Sequence, residues 1–272
     1  MEDILETLRG VLAERSRDLP DADFRLRGMW SVDYRAQPTD YERFMVYSFV
    51  LAQTVRQGCS YADFGSVPIG EASDGLIGKD ARLVRGRSRA EDIAILDAAF
   101  GALPRTPTHV VTVDGSPEEK AVARARTVVD ETMRLLRLSH GRKVAQIGVM
   151  GNLIHHLQRE DVDITASDFD PHLIENGVLG VPVVPGDESA RLVAESDVAL
   201  VCGETLASHT LEGLLAAAAE HGTRLVIFAV TGCHFAQEYV TTFGIDTVIA
   251  EPQPQYLFQG TSILEIYRKD AG

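Results

Sequence analysis

From Lys143 onward, short apolar runs alternate with helix-like stretches, and this alternation narrows the choice of fold more than any other feature of the chain. The strand candidates are Lys143–Val149, Asp163–Ala166, Val198–Cys202, Arg224–Val230 and Thr247–Ala250. Helical spacing falls between them at Asn152–Arg159, Glu188–Ala194, His209–His221 and Phe235–Phe243. The strands read as continuous apolar runs, so both of their faces are expected to be covered. Strand–helix repeats of this kind predict an α/β fold with a Rossmann-like, doubly wound parallel sheet. A helix from Pro117 to Leu138, capped by Ser116, leads into it.

The first half follows a different pattern. Ile4, Leu5, Leu8, Val11 and Leu12 recur at helical spacing. Phe24–Tyr34 alternates apolar with polar residues, and Phe44–Ala52 is rich in aromatic and β-branched ones, which predicts an antiparallel sheet. The five glycines of Gly58–Gly78 suggest a long loop, and its part from Gly65, with Glu71, Asp74 and Lys79 beside it, is long enough to cover a crevice. Ser88–Leu103 returns to helical spacing, with Ser88 as N-cap and Glu91 at the capping-box distance. Two prolines in Leu103-Pro-Arg-Thr-Pro-Thr mark a linker. The expected division is therefore a smaller α+β domain over residues 1–105 and a Rossmann-like domain over 106–272.

Charge and composition exclude several classes of function. A net charge of −14 repels phosphate backbones, which argues against nucleic acid as a partner. No apolar run approaches the roughly 18 residues of a membrane helix, so no membrane partner is expected. The acidic N-terminus lacks the basic and apolar regions of a signal peptide. Cys59, Cys202 and Cys233 are an odd, widely spaced set, which suits reduced thiols in the cytoplasm. A small antiparallel sheet has edges to protect, and pairing into a homodimer is the expected solution.

Ligands of an open parallel sheet bind beyond the carboxyl ends of its strands, so the residues that follow each strand are the site candidates. After the first come Gly148, Gly151 and Asn152, a glycine turn into a helix whose free N–H groups suit an anion. The full G-x-G-x-x-G pattern is absent, which speaks against a dinucleotide. After the second comes Asp168, at the position where a carboxylate accepts hydrogen bonds from a ribose diol; alternatively Asp168 or Asp170 caps the turn before Pro171. After Val198–Cys202 come Gly203, Glu204, Thr205, Ser208, His209 and Thr210, a polar run at a helix start. There the hydroxyls can cradle an anion, and Ser208 is also the natural N-cap. Thr231-Gly-Cys-His follows the next strand. Cys202, His209, Cys233 and His234 are soft and borderline donors, a candidate set for a divalent transition metal, although adjacent Cys-His is not a zinc spacing.

The blocks Val144-Ala-Gln-Ile-Gly-Val-Met-Gly, Ala166-Ser-Asp-Phe-Asp-Pro, Ser196–Leu215 and Leu225–Gly232 resemble the heavy-metal chelation domain family. Gly203, Thr205, Leu206, Thr210 and Leu211 match its third block. Glu204 stands in place of that family's hydroxyl residue, Ser208 in place of asparagine and His209 in place of glycine. The resemblance implies a first domain like the N-terminal domain of enolase, with Asp97 where the family has asparagine, and it implies dimerisation. It points to binding of a metal ion or a metal-chelating small molecule in the strand-end crevice. The charged Glu204 and titratable His209 support an alternative, acid–base catalysis on a small anionic or nucleotide-like metabolite. A further alternative is a non-catalytic, ligand-binding regulatory module.

Overall fold

The computed structural model describes residues 3–36, 45–62, 75–252 and 258–269, and within it the chain forms two compact units. One comprises Glu2–Arg105 together with Val230–Phe235; the other comprises Thr106–Ala229 and Ala236–Gly272.

The N-terminal unit opens with α1 (Ile4–Arg15), whose first turn is closed by Asp3 Oδ1 accepting the Leu5 N–H at 2.7 Å. Its Ile4, Leu5, Leu8 and Leu12 are buried, as the spacing predicts. Strands β1 (Gly28–Ala36), β2 (Met45–Gln53) and β3 (Gln57–Tyr61) form an antiparallel sheet in that order. α2 (Arg89–Phe100) packs on one face, and Ser88 caps it by accepting the Glu91 N–H at 3.2 Å. A β-carbon on Gly58 would lie 2.2 Å from the Ala98 nitrogen of α2, so only glycine permits this close approach.

Two local expectations change. The stretch from Gly58 is not loop throughout, because β3 pairs with β2 in register, Cys59 opposite Leu51. The first strand begins at Gly28. Phe24 instead lies in a 3₁₀ turn, buried, with the Arg82 guanidinium 4.3 Å from its ring centroid. Glu71 and Asp74 lie outside the described residues.

The second unit begins with β4 (His109–Val113) and α3 (Pro117–Ser139), the latter opened by a capping box between Ser116 and Glu119. Then follow β5 (Lys143–Ile147), α4 (Gly151–Leu157), β6 (Asp163–Asp168), α5 (Pro171–Asn176), β7 (Val183–Pro185), α6 (Ser189–Ala194), β8 (Val198–Cys202), α7 (Leu211–His221), β9 (Arg224–Ala229), α8 (Ala236–Thr241), β10 (Thr247–Ala250) and β11 (Ser262–Arg268). The sheet order is β4-β11-β10-β9-β8-β5-β6-β7. Its parallel part, β7-β6-β5-β8-β9-β10, is the doubly wound arrangement, with the order reversing between β5 and β8. The sheet is not wholly parallel. β11 runs antiparallel to both β10 and β4, an edge that a search for continuous apolar runs does not reveal. Val144, Ala145, Leu200, Val226, Ile227 and Ile249 are fully buried at its centre. No helix among the described residues is long and apolar enough to cross a membrane.

Candidate metal centre and strand-end crevice

β9 ends at Ala229, and the following residues, Val230–Phe235, belong to the N-terminal unit. Two hydrogen bonds tie them to β3. Gly232 N–H donates to the Cys59 carbonyl at 3.0 Å, and Tyr61 N–H donates to Thr231 Oγ1 at 2.9 Å. The Phe235 ring meets Phe100 of α2 edge-on at 5.1 Å.

Asp97 of α2 organises this region from a fully buried position. Its Oδ2 accepts the Cys59 N–H at 2.9 Å, and its Oδ1 accepts the His234 N–H at 2.7 Å. Cys233 Sγ lies 3.7 Å from Oδ2. His234 Nδ1 sits 3.1 Å from the Asp97 carbonyl oxygen. A carbonyl can only accept, so Nδ1 carries the proton and Nε2 is the basic nitrogen. The ligand atoms that Asp97, Cys233 and His234 offer all lie within 4.8 Å of one another, and all three residues are buried.

This donor set fits a metal ion. Each Asp97 oxygen keeps a lone pair beyond its backbone bond, and Cys233 brings a sulfur. His234 adds an imidazole, whose Nδ1 also lies 3.4 Å from Asp97 Oδ1. One sulfur, one nitrogen and one carboxylate suit a borderline divalent ion such as zinc. Asp97 was not among the donors expected from sequence. The available signal was its position, a carboxylate between Leu96 and Ala98 in a helix whose residues from Glu91 to Phe100 are all buried.

The second unit carries the crevice at the β5/β8 reversal. Gly148 follows β5 with φ +78°, and a β-carbon there would lie 2.7 Å from the Cys202 β-carbon. Asp168, at the end of β6, accepts the Val149 N–H through Oδ2 at 2.7 Å and the Asp170 N–H through Oδ1 at 2.8 Å. Asp170 in turn accepts the His172 N–H and caps α5. Burial pushes the Cys202 thiol well above its ordinary range, and the Glu204 and Asp168 carboxyls push it further, so it stays protonated. Burial, then the neighbouring Asp168, pushes the Glu204 carboxyl up to about 7.

A carboxyl raised in the folded state stabilises when protonated. Its contribution is complete below its unfolded value of 4.5 and is lost as pH rises through about 7. Between pH 5 and pH 8 the wild type should lose about 2–3 kcal/mol relative to Glu204→Gln. Denaturation midpoints of the two proteins measured across that range test this; parallel curves would show an ordinary, solvated carboxyl.

The other candidates divide as follows. Gly151 opens α4, followed by Asn152, and Met150 at its N-cap makes no side-chain capping bond. Gly203, Glu204 and Thr205 form a 3₁₀ turn, in which Thr205 Oγ1 donates to the Cys202 carbonyl at 2.8 Å. Ser208 does not cap α7. The helix starts at Leu211, after Thr210, and no side chain caps it. Ser208 Oγ instead lies 3.0 Å from Thr210 Oγ1, because His209 between them adopts φ +59° and turns the chain. That left-handed backbone suits the glycine of the resembling family at this position. Cys233 and His234 belong to the N-terminal unit, Cys202 and His209 to the other. Neither Cys202 nor His209 is in a group of three metal-capable donors among the described residues.

Residues 131–248 match the model of a family described as "Putative heavy-metal chelation", a stretch that includes Cys233 and His234 but not Asp97. A crystal structure of a protein of unknown function from this family, from Desulfitobacterium hafniense DCB-2, is 12% identical, with 96% of this chain and 99% of that chain covered and a TM-score of 0.58. Another of unknown function, from Pyrococcus horikoshii, is 12% identical, with 91% and 86% covered and a TM-score of 0.50. Likeness at this identity speaks for the fold alone. No curated protein matches the chain. Over residues 131–248, the chain is similar to the family described as "Putative heavy-metal chelation".

Proposed function

We propose that the protein binds one borderline divalent transition-metal ion through Asp97, Cys233 and His234. The observation that carries this reading is the convergence of carboxylate, thiol and imidazole, all buried, with their ligand atoms within 4.8 Å of one another. The matched family description supports it, and two of the three donors lie in the matched stretch. Bound there, the ion would supply a Lewis-acid centre with room for a further ligand.

The residues of the chain prepare for it in distinct ways. The Asp97 carbonyl oxygen, 3.1 Å from His234 Nδ1, orients the imidazole beside the carboxylate. Cys233 must lose its thiol proton as the ion enters, so affinity rises with pH. The backbone N–H groups of Cys59 and His234 hold the Asp97 carboxylate oriented whether or not an ion is present.

Cobalt(II) titration of untagged, metal-stripped protein provides the test. The expected result is about one ion per chain with a sulfur-to-cobalt charge-transfer band. Cys233→Ser should remove that band and weaken retention of zinc at least tenfold on dialysis. A wild-type protein that retains no ion and shows no band would overturn the proposal.

A further inference from the structure

The second unit holds a constellation that the metal centre does not use. β5, β6 and β8 end side by side at the reversal of strand order, where an open sheet leaves a crevice. Asp168 lies twenty residues beyond Gly148, at the end of β6. Its two oxygens each accept one backbone N–H, which fixes the carboxylate and leaves one lone pair on each.

Phe169 follows and is 55% exposed. One face of its ring is braced against Gly186, where a β-carbon would lie 2.6 Å from the ring. An exposed aromatic ring with one face backed by the chain, next in sequence to a fixed carboxylate, can serve as a stacking platform.

Gln146 supports the turn that flanks Asp168. The register sets it beside Ala166 and Leu200, two positions before Asp168 and Cys202, so it shares their face of the sheet. It is fully buried, its Nε2 donates to the Met150 carbonyl of the turn after β5 at 3.3 Å, and its Oε1 has no partner among the described residues. A buried acceptor of this kind is ordinarily met by an ordered water.

We infer that this crevice binds a nucleoside, its ribose hydroxyls donating to Asp168 and its base stacking on Phe169. The groups around the crevice disfavour a phosphate. Arg124 is the basic side chain that acts on Cys202, and it pairs with buried Glu251 at 3.5 Å. α4 has seven residues, too short to offer a phosphate a strong dipole. Glu204, protonated to about neutral pH, presents a neutral hydrogen-bond donor. The inference is independent of the metal centre.

Isothermal titration of the full chain with adenosine tests it, alongside 2′-deoxyadenosine and AMP. Saturable binding of one adenosine per chain is expected, at least tenfold weaker for each of the other two. Phe169→Ala, an exposed position, should weaken adenosine about tenfold while leaving the melting temperature unchanged. Asp168→Asn should do the same, with some loss of stability because it holds two backbone groups. Cys233→Ser should leave adenosine binding intact, which separates this site from the metal centre. Absence of saturable binding at millimolar adenosine would overturn the inference. So would AMP binding as tightly as adenosine, or Phe169→Ala and 2′-deoxyadenosine having no effect.

Discussion

Replacing Asp97 with alanine should destabilise the N-terminal unit by about 2–5 kcal/mol even without metal. The carboxylate is the acceptor for two buried backbone donors, Cys59 N–H and His234 N–H, whose hydrogen bonds span 38 and 137 residues of sequence. Removing it leaves both without that partner, at about 1–3 kcal/mol each. Asp97→Asn separates the two roles of the side chain. Its amide keeps one acceptor but turns an –NH₂ toward the second donor, so a cost of about 1–3 kcal/mol is expected. It also lacks the negative charge, so cobalt binding should fall by far more than stability does. Urea denaturation of metal-stripped protein, with cobalt titration of the same variants, measures both. Asp97→Ala with an unchanged midpoint would show that the carboxylate does not organise this region.

The second large effect is expected at Gly58. An added β-carbon would lie 2.2 Å from Ala98 N and 2.3 Å from Ala94 O, both backbone atoms of α2. Side chains can swing away from such an overlap, but a hydrogen-bonded helix backbone must move as a body. Gly58→Ala should therefore cost about 3 kcal/mol or more, at or above the upper end of ordinary overpacking. Because β3 also carries Cys59, whose N–H orients Asp97, the variant should lose metal affinity along with stability. Thermal unfolding followed by circular dichroism tests this. A wild-type melting temperature would mean that β3 and α2 do not pack as closely as described.

These positions show what was legible in the amino-acid sequence and what was not. Five of the six parallel strands announced themselves because burial on both faces demands continuous apolar runs, and Val198–Cys202 and Thr247–Ala250 were bounded correctly, whereas the three-residue β7 was missed. Helix starts at Ser88 and Ser116 were legible because capping is local chemistry, settled within three residues. β3 was not, since Gln-Gly-Cys-Ser-Tyr has no apolar run and is a strand only because β2 pairs with it. β4 at the sheet edge and the alternating β11 were missed because the grammar of doubly buried strands does not describe them. At the proposed metal site, Cys233 and His234 were visible as residue types. Asp97 was hidden because its partners are distant in sequence, and a carboxylate inside an apolar helix resembles a departure from pattern more than a ligand.

The six residues Val230–Phe235 carry a consequence for how the polypeptide is made and how it can be divided. During synthesis the N-terminal unit cannot finish until those residues leave the ribosome, long after Arg105. Until then the Asp97 carboxylate has the Cys59 donor but not His234. A nascent chain in that interval lacks one of the two backbone donors to that carboxylate. For the same reason, cutting the gene at the proline-rich linker would not yield two autonomous pieces. The fragment ending at Arg105 would lack its last segment, whereas a circular permutant opened at that linker would retain every residue of both units.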